Sequence, residues 1–318
     1  MEKIFRVPPD CEGLRLDRFL AQSLPGVSRS FVAGLIREGS VRVAGAAAPA
    51  DRSMRAGEEV RVHEAAASWS SQKDALKSRT LYEDDSFLVL DKPPGLLMHP
   101  LGSSWLNRPE AAAQDPEPNL AGFLYAARPA LRHIPRLGIV HRLDRGTSGV
   151  LLVAKTAKSY AALTKSFERR EVAKVYRAVV RGVPAKTVTR VEAPVGRPSG
   201  RRKITVTPFG RPAETEIKVL ERGRGAALVE ARPKTGRTHQ IRAHLAHAGH
   251  PVAGDPDFDR RLLDSPRPPR LMLHAYALAL RHPRTGRTAR FRAPAPPDFK
   301  KFWNALGGHG GRQPTISG

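Results

Sequence analysis

The chain has 318 residues, with 54 Lys and Arg against 30 Asp and Glu, for a net charge of +24. That length buries one large core or two ordinary ones, and the charge calls for a polyanionic partner: RNA, DNA or an acidic membrane surface. No apolar run reaches the roughly 18 residues of a membrane span, and the N-terminus lacks a secretory stretch. Cys11 alone excludes an internal disulfide and a cysteine-based zinc site. A cytoplasmic protein is expected.

The first 63 residues read as a compact unit. Leu14, Leu16, Phe19 and Leu20 fall near helical spacing. Ser28 stands as an N-cap before a second periodic stretch, Phe31, Val32, Leu35 and Ile36, which Gly39 ends. Val41-Arg42-Val43 then enters a turn at Ala44-Gly45, and Gly57 to Val62 supplies a closing strand. This unit holds ten Lys/Arg and eight Asp/Glu, so nearly all of the excess charge lies beyond residue 63.

A polar linker follows at 67–79. Order resumes at Thr80, with a strand over Phe87-Leu88-Val89-Leu90 that Pro93-Pro94 breaks into a loop. Residues 102–118 show no period and read as a surface insertion. From Val150 the pattern runs strand, helix, strand: Thr156 caps a helix with Tyr160, Leu163 and Phe167 on one face, and Lys174 to Val180 returns as a strand. The segment 307–318 is Gly-rich and is expected to be flexible.

The most informative run is Gly138-Ile139-Val140-His141-Arg142-Leu143-Asp144-Arg145-Gly146-Thr147-Ser148-Gly149. It sets one carboxylate between two arginines, in a turn that opens into the apolar Val150-Leu151-Leu152-Val153-Ala154. A carboxylate so held can attack an electrophilic sugar carbon or remove a proton from one. An Asp in a surface turn, paired to its arginine neighbours, is the plain alternative.

Further motifs decide between them. His141 to Gly149 resembles the signature of the RluA/RluD-type pseudouridine synthases, and the resemblance extends in order along the chain. It takes in Tyr82-Glu83-Asp84-Asp85, Lys92-Pro93-Pro94-Gly95, His99-Pro100, Lys174-Val175-Tyr176, Thr235 to His244, Gly249-His250-Pro251, Gly254-Asp255, Leu273-His274-Ala275 and His282-Pro283. The N-terminal unit resembles the alpha-L RNA-binding domain of the ribosomal protein S-four type. The blocks are Arg15 to Leu20, Ser28-Arg29-Ser30 and Ile36 to Val43, with Ala44-Gly45 where that family usually has Asn-Gly.

The resemblance implies an α+β protein. Residues 1–66 would be the RNA-binding domain and 80–306 a catalytic domain with a mixed, mainly antiparallel central sheet. It implies a cofactor-free, metal-free isomerisation of uridine to pseudouridine. Asp144 would be the catalytic carboxylate, Tyr176 the ring on the target base, and Arg242 the guanidinium whose two parallel hydrogen bonds aim Asp144. Arg142 would enter the RNA where the target nucleotide leaves its stack. Leu273 and Thr147 would line the base pocket.

RNA contacts are expected from His141, Arg145, Arg237 and His239 around the site, and from Arg15, Arg29 and Arg37 on the first domain. The loop Gly196 to Lys203 would add Arg201, Arg202 and Lys203 at phosphates. Gly254-Asp255-Pro256-Asp257-Phe258-Asp259 replaces the family's usual Tyr-Gly ending, which implies a differently shaped loop there. Two of His239, His244, His247 and His250 could share a helix face, but no Glu stands between them in a zinc-protease spacing and no cysteine is available, so no metal site is expected. The expected substrate is large-subunit ribosomal RNA, with transfer RNA as the alternative, and the expected state is a monomer without membrane contact. The rivals are a non-catalytic RNA-binding or ribosome-assembly protein and a DNA-directed enzyme.

Overall fold

The structure, a computed structural model, describes residues 2–24, 29–37, 41–63, 78–100, 102–115, 117–201, 203–260 and 265–308. The chain divides into two compact units, Met1–Ser78 with Gly95–Leu137, and Arg79–Pro94 with Gly138–Gly318. Most of the expected linker at 67–79, most of the tail at 307–318, and the expected helix cap Ser28 and stop Gly39 lie outside the described residues.

In the first unit, strands β1 (Glu2–Arg6), β2 (Val41–Val43), β3 (Ala46–Ala47) and β4 (Glu59–His63) form one sheet in the order β1-β4-β2-β3. Helices α1 (Leu16–Ser23) and α2 (Arg29–Arg37) cover it. Leu16, Phe19 and Leu20 turn inward with Val32, Leu35 and Ile36 onto Val41, Val43, Val60 and Val62, as the periodicity requires. The β2–β3 turn places both Ala44 and Gly45 at positive φ, 49° and 80°. That is the geometry of a type I′ hairpin turn, which Asn-Gly fits with less strain than Ala-Gly.

The same unit contains helices α3 (Ser104–Asn107), α4 (Glu110–Gln114) and α5 (Leu120–Ala127). The expected surface insertion at 102–118 thus carries two short helices that its lack of period did not indicate. Trp105 is buried and stacks on His99, with centroids 5.0 Å apart. Asn119 caps α5 through Gly122 and donates to the Ala112 carbonyl at 2.9 Å. A Cβ at Gly122 would lie 2.4 Å from that carbonyl oxygen, so the two helices meet backbone to backbone. Period alone could not show this, because the contacts are made by single residues from short helices.

The second unit is a nine-stranded sheet with helices packed against it. Its strands are β5 (Thr80–Glu83), β6 (Phe87–Lys92), β7 (Ser148–Ala154), β8 (Ala173–Arg181), β9 (Val188–Glu192), β12 (Glu214–Gly223), β13 (Ala226–Pro233), β14 (Leu273–Arg281) and β15 (Thr288–Arg292). The order is β5-β6-β7-β14-β8-β13-β12-β9, with β15 paired to β14. Only β7 and β14 run parallel, so the sheet is mixed and mainly antiparallel. A separate hairpin joins β10 (Val195–Gly196) to β11 (Thr205–Val206).

Helices α6 (Ala157–Glu168), α7 (Gln240–His247) and α8 (Pro297–Ala305) complete the unit. Thr156 caps α6 as its sequence implies, in a reciprocal box with Ser159. All seven residues of β7 are buried, the mark of a central strand. Asp84 ties two distant motif blocks together. It receives the Ser86 and Phe87 amides and lies 2.7 Å from His282 Nε2. Among the described residues no helix is long and apolar enough to cross a membrane.

Candidate active site

Asp144 sits on the loop that leads into β7. Its carbonyl accepts the Thr147 amide at 3.0 Å, closing a tight turn. Glycines set the path of this loop. A Cβ on Gly149 (φ 112°) would fall 2.2 Å from the Ala275 carbonyl oxygen, where β7 and β14 pair in parallel. At the adjacent pair Ser148 Oγ lies 2.9 Å from His274 Nδ1, and His274 Nε2 lies 3.1 Å from the Ala293 carbonyl. Burial brings His274 down to about 4, so its ring is neutral near pH 7: Nε2–H donates to Ala293 and Nδ1 accepts from Ser148.

The Asp144 carboxylate faces two residues of the Thr235–His244 block. Arg242 Nη1 lies 3.7 Å from one oxygen and His239 Nε2 lies 3.8 Å from the other. Gln240 shapes this block: its Oε1 accepts from Thr235 Oγ1 and the Arg237 amide, and its Nε2 donates to Glu214 O and Thr215 Oγ1. The bend lets His239 adopt a left-handed conformation (φ 55°) at the start of α7. Burial lowers the His239 pKa, against the opposing pull of Asp144. Its Nδ1 is buried and has no hydrogen-bond partner among the described residues.

Arg242 departs from the sequence expectation in one respect. Its two-pronged hydrogen bonds go not to Asp144 but to Asp255, at 2.7 and 2.6 Å, with Asp257 at 2.6 Å. The reason is burial. The Asp255 side chain has no solvent exposure and needs a counter-ion, whereas the Asp144 side chain keeps 19%. Gly254 makes the loop possible, since any Cβ there would strike the Arg270 carbonyl oxygen at 1.8 Å. Burial works against the Arg242 charge, but the Asp255 bonds and the nearby Asp144 and Asp257 outweigh it and push its pKa up. Arg242 therefore meets Asp144 as a fixed, permanent cation.

Tyr176, on β8, is half-buried between Ala231 of β13 and Ala275 of β14. Burial, with Asp144 in electrostatic range, raises its hydroxyl pKa, so the phenol is neutral. Leu273 is buried at the start of β14, and Leu271 packs against the Cα of Gly146. Thr147 is buried, and its hydroxyl has no hydrogen-bond partner among the described residues.

The remaining expected residues divide. Arg142 is exposed and makes no hydrogen bond or ion pair within the described residues, and Arg145 is half-buried. His141, expected at RNA, turns into the protein instead. It stacks on Phe167 at 4.7 Å, and its Nε2 accepts the Leu152 amide at 2.8 Å. Burial takes it down to about 3, which keeps that nitrogen free to accept. Lys203 is also engaged internally, its ammonium 3.7 Å over the Phe258 ring and bonded to the Asp257 carbonyl.

Arg237 holds the Pro212 carbonyl at 3.2 Å, and Arg201 is exposed. Arg15 and Arg29 converge on the buried Asp17, each with more than half or about half of its side chain in solvent. Arg202 and the Arg37 side chain lie outside the described residues.

Sequence reasoning missed Lys92. It ends the apolar strand β6 fully buried, donating to Pro93 O at 2.8 Å and to Arg145 O, one residue past Asp144, at 3.1 Å. A lone lysine closing a run of buried residues was the available signal. Burial brings its pKa down to about 7, with Asp144 opposing. Unfolding returns it to 10.5, so between those values the unfolded chain holds the extra proton and stability rises with pH. The rise is at most about 1.4 kcal/mol per pH unit. Lys92→Met should remove it: urea unfolding at about pH 7.5 and about pH 9.5 should show wild-type gaining stability relative to the variant. Parallel pH curves would contradict this.

Comparison with known proteins identifies the family. Residues 86–247 match the family model described as RNA pseudouridylate synthase, and residues 14–48 match the S4 domain. The chain belongs to the RNA pseudouridylate synthase family, enzymes that isomerise uridine to pseudouridine. It is 40% identical over 322 residues to "Ribosomal large subunit pseudouridine synthase C" of Escherichia coli K12, covering 96% of each chain. It is 38% identical over 309 residues to "Ribosomal large subunit pseudouridine synthase D" of Nitrosomonas europaea, covering 94% of this chain and 86% of that one. Among solved structures, human RNA pseudouridylate synthase domain containing 1 superposes with a TM-score of 0.54 at 27% identity, over 68% of this chain and 82% of that one.

Proposed function

We propose that this chain converts specific uridines of large-subunit ribosomal RNA to pseudouridine, acting as a cytoplasmic monomer, with Asp144 as the reacting carboxylate. The observation that carries the reading is the Asp144 carboxylate facing the buried cation Arg242 at 3.7 Å, with the neutral phenol of Tyr176 in electrostatic range. A protein that only binds RNA has no use for that trio. The large-subunit assignment is supported by the names of the relatives.

The isomerisation breaks the bond from uracil N1 to ribose C1′ and forms one from C5 to C1′, with C5 losing a proton and N1 gaining one. Asp144 reacts in one of two ways: it bonds to C1′ as N1 leaves and is displaced when C5 bonds there, or it removes the C2′ proton and returns it as C5 bonds to C1′. Arg242 fixes the carboxylate while charge shifts away from it. Tyr176 lies against the uracil as it turns, and Leu273 and Thr147 bound the pocket that keeps the free base from diffusing away. Arg142, unengaged by the protein among the described residues, fills the gap left by the extruded nucleotide. Arg15 and Arg29, oriented by Asp17, present guanidinium groups to RNA phosphates.

Mapping pseudouridines across all RNAs in a strain lacking this chain tests the substrate. The expected result is loss of specific sites in large-subunit ribosomal RNA and nowhere else. Loss confined to transfer RNA would refute the assignment.

A further inference from the structure

The hairpin between Pro194 and Ala213 carries five Lys and Arg and no acidic residue. The turn that follows β11 holds Phe209, 94% exposed, against 55% for the next most exposed large apolar residue, Ile4, among the described residues. The ring is not on a loose loop. Thr207, Pro208, Phe209 and Gly210 form a β-turn closed by the Gly210 amide on Thr207 O at 2.9 Å. Thr207 N binds Pro194 O, and Val195 and Arg211 exchange two backbone bonds of 3.0 Å. A Cβ on Gly210 would lie 2.6 Å from the Val195 carbonyl carbon, so the turn lies flat on β10.

Nothing in that turn requires an aromatic residue. A small polar residue would close it equally well and avoid exposing a ring. The underside of the hairpin explains its position. Val195 and Val206 pack with Ala243, the neighbour of Arg242 on α7, so the platform is built directly on the helix that serves Asp144. Next to the turn, Arg237 holds the Pro212 carbonyl, and burial, then repulsion from Arg211 and Arg170, lowers its pKa. A polyanion would relieve that repulsion.

We infer that Phe209 is a stacking platform for an unpaired nucleobase of the substrate RNA, outside the reacting uridine, with Arg211 and Arg237 at the adjoining phosphates. The inference rests on RNA being the substrate and adds a contact surface to that reading. A π-face accepts any base, so the ring contributes affinity rather than sequence choice.

The test compares wild-type, Phe209→Ala, Phe209→Leu, Phe209→Trp and Arg211→Gln on unmodified large-subunit ribosomal RNA and transfer RNA transcripts, using whichever RNA the wild-type binds. Phe209→Ala and Phe209→Leu should raise Kd and KM by roughly 5- to 150-fold with kcat unchanged, while Phe209→Trp keeps wild-type affinity. Their thermal unfolding should match wild-type, since the ring is in solvent. The slope of log K against log salt should stay constant for the Phe209 variants and fall by about one for Arg211→Gln.

Binding by Phe209→Ala or Phe209→Leu within about twofold of wild-type would overturn the inference, since stacking on a base is worth more than that. Asp144→Asn, run alongside, separates the two readings. If it stays active while Phe209→Ala binds weakly, the catalytic assignment fails and stacking stands. If it is inactive while Phe209→Ala binds normally, only stacking fails. A wild-type chain that binds neither RNA overturns both.

Discussion

Asp144→Asn is expected to abolish pseudouridine formation, by about 10⁴-fold or more, while leaving RNA affinity within a few-fold of wild-type. The amide keeps the shape of the carboxylate but neither bonds to C1′ nor takes a proton. The fold should tolerate it. The side chain is 19% exposed, and Arg242 and His239 stand 3.7 and 3.8 Å away, beyond hydrogen-bond length. At an effective dielectric near 20, a pair at that distance is worth about 4 kcal/mol, so Arg242 is a strong orienting field without a covalent-like clamp. The measurement is chemical detection of pseudouridine on an unmodified transcript, beside a binding curve at matched salt. Retained turnover would remove Asp144 from the mechanism. A wild-type chain that binds RNA without turning it over would favour the non-catalytic alternative.

The second large effect concerns Arg242. Arg242→Met leaves Asp255, which has no exposure, as an uncompensated buried charge, and the expected cost is about 3–5 kcal/mol by urea unfolding. Activity should be lost too, because Asp144 loses its fixed cation. Stability and catalysis come apart in Arg242→Met with Asp255→Asn: that pair should recover much of the stability and none of the turnover. Arg242→Lys should fold better than Arg242→Met yet stay poorly active, since an ammonium cannot reproduce the fork on Asp255 and face Asp144 together. Full activity in Arg242→Met, or a double variant no more stable than the single one, would contradict this account.

The local features of the fold were readable from the chain. The Thr156–Ser159 cap, the helix face of Leu16, Phe19 and Leu20, and the strand at Val41 to Val43 depend on residues a few positions apart. The turn at Asp144 was readable for the same reason, since it is written in neighbouring glycines and arginines. What escaped was set by distant partners. The Arg242 guanidinium was expected to grip Asp144, and only the burial of Asp255 shows why it does not. His141 looked like an RNA contact because it adjoins Arg142; its stacking on Phe167 requires α6 to pack back over the loop. Lys92 gained importance only when β6 brought it beneath the Arg145 carbonyl. The helices at 104–114 owe their order to Trp105 and Asn119, which no periodicity marks.

The parallel pairing of β7 with β14 also bears on the order in which the enzyme is made. Ser148 reaches His274 across 126 positions of chain, and Gly149 is shaped to the Ala275 carbonyl. Asp144 is therefore synthesised long before the strand that braces its loop. Through that interval the nascent chain carries the Asp144 turn without the strand that braces it. That support arrives late, when Leu273 to Arg281 leave the ribosome and pair between β7 and β8.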